Sequence, residues 1–276
     1  LHDALPISSH GVSSFQAFAM SVAGRVGTGN IAGVATAIAM GGPGAIFWMW
    51  AISFLGAGSS FIECTLGQVY KEDVDGEYRG GPAYYIEKAM GKRWYAIIFA
   101  AVTVIGLGFF APGVQSNSIA SSINNAFGVS PNITGIVIAV LLAVIVFGGT
   151  KRLGKVAEIV VPFMALAYIL VALLVLAVNI TALPHMFALI IKSAFGAEQA
   201  FAGILGYSIQ WGVKRGIYSN EAGQGTGPQS SAAAEVSHPA IQGLVQAFAV
   251  YFDTLFVCSA TAFMILSTGS YNVINP

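Results

Sequence analysis

Gly24-Arg25-Val26-Gly27-Thr28-Gly29-Asn30-Ile31-Ala32-Gly33 sets glycines, an arginine and an asparagine inside an otherwise apolar segment. Lys214-Arg215-Gly216-Ile217-Tyr218-Ser219-Asn220-Glu221-Ala222-Gly223-Gln224-Gly225-Thr226 does the same much later in the chain. Each glycine weakens a helix by about 1 kcal/mol relative to alanine, so both stretches read as interruptions. They also share a register. Arg25, Asn30, Ala32, Gly33 and Thr36 recur as Arg215, Asn220, Ala222, Gly223 and Thr226 at identical spacing, and a proline (Pro43, Pro239) opens the next segment each time.

The surrounding chain is built for lipid. It has 276 residues, 56% hydrophobic and only 9% charged, against roughly 25% charged in soluble domains. The expected fold class is all-α, a polytopic membrane protein with about seven transmembrane segments, at 13–40, 43–70, 94–124, 133–148, 156–178, 199–227 and 239–267. A shorter apolar stretch at 182–194 is too brief to cross a bilayer, which takes roughly 20 residues, and is expected at the interface. Net charge is zero, which gives no footprint for nucleic acid. Cys64 and Cys258 have no metal or redox spacing and read as small core residues.

Basic residues orient the segments. Lys71, Arg79, Lys88, Lys92 and Arg93 follow the second segment, and Lys151, Arg152 and Lys155 follow the fourth. The loops after the third and fifth hold only Lys192. The basic loops are therefore expected in the cytoplasm. The interruptions lie in the first and sixth segments, an odd step apart, so the two enter the membrane from opposite sides. Paired broken helices in inverted halves are the strongest sequence pointer to a transporter binding site. The competing reading is that the glycines only let helices pack closely.

An unwound helix exposes N–H groups at one half-helix and carbonyls at the other. The first end suits a carboxylate and the second a cation; together they match a zwitterionic amino acid plus sodium. Gly27, Thr28 and Gly29 would let substrate reach main-chain amides, and Asn30 and Asn220 offer amide oxygens or nitrogens. Ser219, Gly33, Gly223 and Thr226 line the same breaks, and Gln115 and Asn117 in the polar half of the third segment could face them. Arg25 and Arg215 read as gate or ion-pair residues as readily as ligands, and Glu221 as a functional or a buried structural acid. Glu63 and Asp253, single acids in apolar helices, read as structural. Phe47-Trp48-Met49-Trp50 reads as packing or an interfacial belt.

With Val26-Gly27-Thr28-Gly29-Asn30-Ile31-Ala32-Gly33, Gly41-Gly42-Pro43-Gly44-Ala45-Ile46-Phe47-Trp48-Met49-Trp50, Gly80-Gly81-Pro82-Ala83-Tyr84-Tyr85-Ile86 and Ser219-Asn220-Glu221-Ala222-Gly223 in this order, the chain resembles the alanine or glycine:cation symporter family, also called sodium:alanine symporters. The resemblance covers nearly everything after residue 12. It implies a leucine-transporter-like inverted-repeat fold, a plasma (inner) membrane location, and symport of Na+ with a small neutral amino acid, alanine or glycine. It also implies that Thr28 and Gly29 amides hold the substrate carboxylate, that Asn30 sits beside a sodium, and that carbonyls near Ala23 and Val26 line a second sodium site. On that reading residues 1–12 are a cut end or artefact, 13–178 the first five-helix repeat, 179–198 an interfacial connection, and 199–276 the truncated start of the second repeat. A helix before residue 13 and more after 267 are expected.

The runner-up is a carrier of the same fold coupled to protons. A membrane-embedded enzyme is the competing class, but it would want a His-Glu-x-x-His motif or paired intramembrane aspartates, and the sequence has neither.

Overall fold

A computed structural model describes residues 11–196, 202–269 and 271. The sequence's odd start at 1–8 and the first residues of the sixth segment lie outside them. The described chain is almost entirely helical. In order come α1 (Ser14–Arg25), a π-turn (Gly29–Gly33), α2 (Val34–Gly41) and α3 (Ala45–Val69). A two-stranded hairpin, β1 (Glu72–Val74) and β2 (Glu77–Arg79), precedes α4 (Pro82–Met90). α5 (Arg93–Thr103), a second π-turn (Val104–Phe110) and α6 (Ala111–Phe127) form one continuous helix, followed by α7 (Pro131–Val146) and α8 (Gly149–Val178). Last come α9 (Leu183–Ala194), α10 (Ala202–Asn220), α11 (Gly227–Ala232), α12 (Pro239–Tyr251), a third π-turn (Phe252–Cys258) and α13 (Ser259–Ser267).

Four of these helical runs are long and apolar enough to cross a membrane: Ala45–Val69, Arg93–Phe127, Gly149–Val178 and Pro239–Ser267. Gly29–Gly41, Pro131–Val146 and Ile180–Ala194 are shorter apolar helices. Large side chains such as Ile136, Val140, Leu141, Phe163, Leu170 and Leu174 stand exposed along α7 and α8. Apolar side chains facing out over helices of this length are the surface of a protein whose solvent is hydrocarbon, where helices satisfy their backbone polar groups internally. This is a helical membrane protein.

Two boundaries differ from the sequence reading. Lys151, Arg152 and Lys155, expected in a loop, lie in the first turns of α8, since lysine and arginine are good helix formers and the turn falls earlier, at 147–148, with Gly149 at φ 78°. The second interruption is also shorter than expected: α10 stays helical through Lys214–Asn220, and only 221–226 is irregular. The hairpin was not expected at all. Its turn places Asp75 (φ 56°) and Gly76 (φ 77°) in the left-handed region, the backbone that an Asp-Gly pair favours in a two-residue hairpin.

The chain divides into two compact units. The first comprises residues 1–21, 62–159 and 225–243. In it Val12 pairs with Ala234 as a parallel bridge, its N–H donating to the Ala233 carbonyl and its carbonyl accepting from Glu235 N, both at 2.9 Å. Gln68 Nε2 and Lys71 Nζ both donate to the Ala234 carbonyl, at 2.9 and 2.6 Å. Burial of the Lys71 ammonium lowers its pKa, and the Glu235 charge opposes that shift.

The second unit comprises 22–61, 160–224 and 244–276. Its core is Val34, Ala37 and Ile38 of α2, Ala45, Ile46 and Met49 of α3, Met186 and Ile190 of α9, and Cys258, Ala262 and Leu266 at the end of the chain's last helical run. Trp48 Nε1 donates to the Ala194 carbonyl at 3.1 Å and Trp50 Nε1 to Ser259 Oγ at 2.8 Å, so both indoles serve packing inside this unit. At Gly216 a Cβ would come within 2.5 Å of Ile52 Cγ2; small residues let α10 approach α3.

Candidate site at the paired helix breaks

Two asparagines make the breaks. α1 stops at Arg25, and its last regular bond is Val26 N–H to the Val22 carbonyl at 2.8 Å. Asn30 Oδ1 then takes the Gly27 N–H at 2.8 Å, while Asn30 N–H bonds the Gly27 carbonyl at 3.1 Å. A side chain that bonds its own neighbouring backbone offers an alternative to the helical ladder, so the helix restarts only at Thr28–Gly29. α10 ends in the same manner. Glu221 turns left-handed (φ 52°), and Asn220 Oδ1 accepts the Ala222 N–H at 3.1 Å.

The remaining amide nitrogens converge on one π-turn. Asn30 Nδ2 donates to Asp253 Oδ1 at 2.6 Å, and Asn220 Nδ2 donates to Thr254 Oγ1 at 3.1 Å. Asp253 Oδ2 accepts from Ser219 Oγ at 3.0 Å and from Thr254 Oγ1 at 3.2 Å. Thr261 Oγ1 closes the ring by donating to the Asn30 carbonyl at 2.6 Å. Asp253, Thr254, Ser219 and Asn220 have no exposed surface and Asn30 has 1%. π-Turns widen a helix by one residue per turn and recur at functional sites; this one aims Asp253 and Thr254 at the two breaks.

Arg25 joins the same cluster. It is 3% exposed, and its guanidinium donates to the Asn220 carbonyl at 2.7 Å, to Gln246 Oε1 at 3.2 Å and to Ser60 Oγ at 3.3 Å. A cation here caps the carbonyl end of α10, where the helix dipole is negative. The matching Arg215 lies elsewhere on α10, its guanidinium 5.2 Å from the Trp211 ring and its Cδ 4.0 Å from where a Cβ on Gly33 would stand.

The structure thus brings Asn30, Ser219 and Asn220 together with Gly29, whose would-be Cβ lies 3.2 Å from Ser219 Cα. Glycine at 29 therefore admits the end of α10 to close contact. Gly33 has ordinary room, with Thr28 O at 3.8 Å. Thr28 is the N-cap of the restarted helix, Val26 is half-buried and Ala23 is exposed in the last turn of α1. Gly223, with φ 77°, is exposed beside Ser59. Gln115, Asn117 and Thr226 belong to the other unit; Gln115 is half-buried and Asn117 exposed.

Sequence reading took Asp253 as structural and did not single out Thr254, Ser60 or Gln246. Asp253 carried a signal, as the single aspartate within an apolar segment, but nothing in the local sequence says which helix it faces. The oxygens assembled here are a carboxylate and hydroxyls, hard ligands of the kind that suit alkali and alkaline-earth cations rather than soft metals, while both asparagines turn amide N–H groups to the cluster. Among the described residues no group of three or more His, Cys, Asp or Glu side chains is placed to hold a metal ion.

Comparison with known proteins identifies the family. The model of the sodium:alanine symporter family matches residues 3–275. The carrier protein YrbD of Bacillus subtilis (strain 168) is 64% identical over 265 residues, covering 96% of this chain and 55% of YrbD. The sodium/proton-dependent alanine carrier protein of Bacillus sp. (strain PS3) is 53% identical over 268 residues, 97% of this chain and 60% of that protein. The amino-acid carrier protein AlsT of Bacillus subtilis is 51% identical over 261 residues, 95% of this chain and 56% of AlsT. The chain therefore spans a little over half the length of these relatives. A family match across nearly every residue, carried through both broken helices, makes this chain a member of the sodium:alanine symporter family.

Proposed function

We propose that the protein is a secondary transporter that carries a small neutral amino acid, alanine or glycine, across the plasma membrane together with sodium, by alternating access around the two breaks. The observation that carries this reading is the Asn30–Asp253 hydrogen bond. It ties the first break to a wholly buried carboxylate, and an ionisable group within a membrane protein is a functional group by default. Sodium would be held by Asn30, Asp253 and the hydroxyls of Ser219 and Thr254, with carbonyls near Ala23 and Val26 as a second position. The substrate carboxylate would meet the N–H groups of Thr28 and Gly29 at the start of a half-helix. Gly33, Asn220 and Gly223 complete the proposed substrate lining. The repeats at 13–178 and 199–276 are proposed as inverted copies, with the hairpin and the start of α8 in the cytoplasm.

Sodium-driven uptake of labelled alanine by vesicles containing the protein expressed from its full reading frame tests this. Uptake that ignores a sodium gradient, or a protein that binds neither alanine nor glycine, would overturn it. A proton in place of sodium is the second reading. It is favoured by Asp253, a carboxylate able to carry a proton, and is separated by imposing a pH gradient in sodium-free buffer.

A further inference from the structure

Between Glu158 and Asn179 the chain carries one polar side chain, Tyr168, in a run otherwise made of apolar residues. Tyr168 is half-buried and lies in the second unit, on the face of α8 that also carries the buried Val161, Ala165 and Ala172. Its phenol meets the Thr261 hydroxyl. Thr261 Oγ1 lies 2.6 Å from the Asn30 carbonyl and 3.3 Å from the Val257 carbonyl, one turn back on its own helix. A hydroxyl has one proton to give. Among the described residues the phenol has no partner besides Thr261. If Tyr168 accepted from Thr261, its own O–H would stay unpaired in hydrocarbon, which is costly, and the Asn30 carbonyl would lose the Thr261 proton. The arrangement that uses both protons runs one way, from Tyr168 to Thr261 to Asn30.

We infer that Tyr168 is a positioning residue for the proposed sodium site. Its donation occupies a lone pair of Thr261 Oγ1 and fixes the hydroxyl rotor. The Thr261 proton is thereby committed to the Asn30 carbonyl rather than to Val257, the back-bond a helical threonine otherwise makes. That bond holds the peptide plane at the first break. The plane in turn sets where the Asn30 side chain points, with Oδ1 on the Gly27 N–H at 2.8 Å and Nδ2 on Asp253 Oδ1 at 2.6 Å. Tyr168 touches neither ion nor substrate and acts through Thr261 and Asn30. The inference rests on the proposed sodium site. The simpler role is a hydrogen bond that glues α8 to the chain's last helix. Glue alone predicts a loss of stability, whereas positioning predicts a change in sodium dependence.

The test is a sodium titration of alanine binding on the protein expressed from its full reading frame, purified in lipid nanodiscs. Tyr168→Phe removes only the hydroxyl. The sodium concentration for half-maximal binding should rise about fivefold, the worth of one hydrogen bond. Alanine affinity at saturating sodium should stay within about twofold of the parent, because the bound ion restores the geometry. Thr261→Ser keeps the hydroxyl and should titrate like the parent, while Thr261→Val should shift at least as far as Tyr168→Phe. Adding Tyr168→Phe to Thr261→Val should change nothing further, as expected of residues that act in series. A parent-like sodium dependence in Tyr168→Phe, whatever its thermal midpoint, would make the contact glue and overturn the inference. Thr261→Val serves if Tyr168→Phe does not fold, since parent-like sodium dependence there breaks the relay at its middle. Asp253→Asn tells the two claims apart. Sodium dependence lost in it but unchanged in Tyr168→Phe sinks the relay alone, and sodium dependence kept in it sinks the proposed site and the relay together.

Discussion

Asn30 and Asn220 donate their side-chain N–H groups to consecutive residues, Asp253 and Thr254, at 2.6 and 3.1 Å. Equivalent positions in the two breaks thus read one π-turn from two sides. Each asparagine spends its carbonyl oxygen on opening its own helix and its nitrogen on the shared cluster, so the breaks and the cluster form together.

Asn30→Ala removes both functions at the first break. Alanine binding should weaken about ten- to hundredfold, the cost of one ligand to a charged group. Added sodium should restore part of it, because each ligand raises affinity for the other. Scintillation proximity binding across a sodium series reads this directly, and a loss that sodium leaves untouched would remove Asn30 from the cation site.

Gly29 and Gly33 should part company. A side chain at Gly29 meets Ser219 Cα at 3.2 Å, whereas at Gly33 the nearest atom stands at 3.8 Å. Gly29→Val should therefore abolish alanine binding at any sodium concentration and also lower the thermal midpoint, since overpacking costs about 1–3 kcal/mol. Gly33→Ala should melt with the parent. Equal melting of both variants would show that α10 does not close on Gly29.

The proposed orientation is checked by cysteine labelling. Asp75, at the exposed hairpin tip, should react only with reagents that reach the cytoplasm, and Asn132, exposed at the start of α7, only from outside. The basic residues Lys71, Arg79, Lys88, Lys92 and Arg93 near the hairpin motivate the assignment. Labelling of Asp75 in intact cells by an impermeant reagent would reverse it.

Tyr85 on α4 titrates late. Burial first, then the Glu63 charge, pushes its phenol up to about 12 from 10.0. Below pH 10 the phenol is neutral in folded and unfolded chains alike. Between about pH 10 and 12 the unfolded phenol ionises first, so folding stability falls as pH rises through that window. Tyr85→Phe should lack this component. Thermal melts at both ends of the window, with the tyrosinate absorbance followed in parallel, measure it.

The two breaks were legible because glycine, arginine and asparagine in an apolar run have few structural explanations, and because they occur twice in register. The cluster at the third π-turn was not. Asp253 faces Asn30 only through the packing of distant segments, and a single sequence carries no mark of which helices meet. The π-turns were equally hidden, since Val104–Phe110 and Phe252–Cys258 have the hydropathy of plain α-helix and differ only in where one extra residue is absorbed. The hairpin's Asp75-Gly76 pair was visible in the sequence, but two three-residue strands give no alternation long enough to count as strand.

The Val12–Ala234 bridge is made by main-chain atoms alone, and main-chain pairing is blind to side-chain identity. The side chain at position 12 is nevertheless constrained, because Val12 is buried against Ala17, Ala233 and Ala234. Gly11 next door has less latitude still, because a Cβ there would fall within 2.7 Å of Glu235 Cβ. Saturation mutagenesis should therefore record a site that keeps small apolar residues and rejects proline, directly beside a site that accepts only glycine.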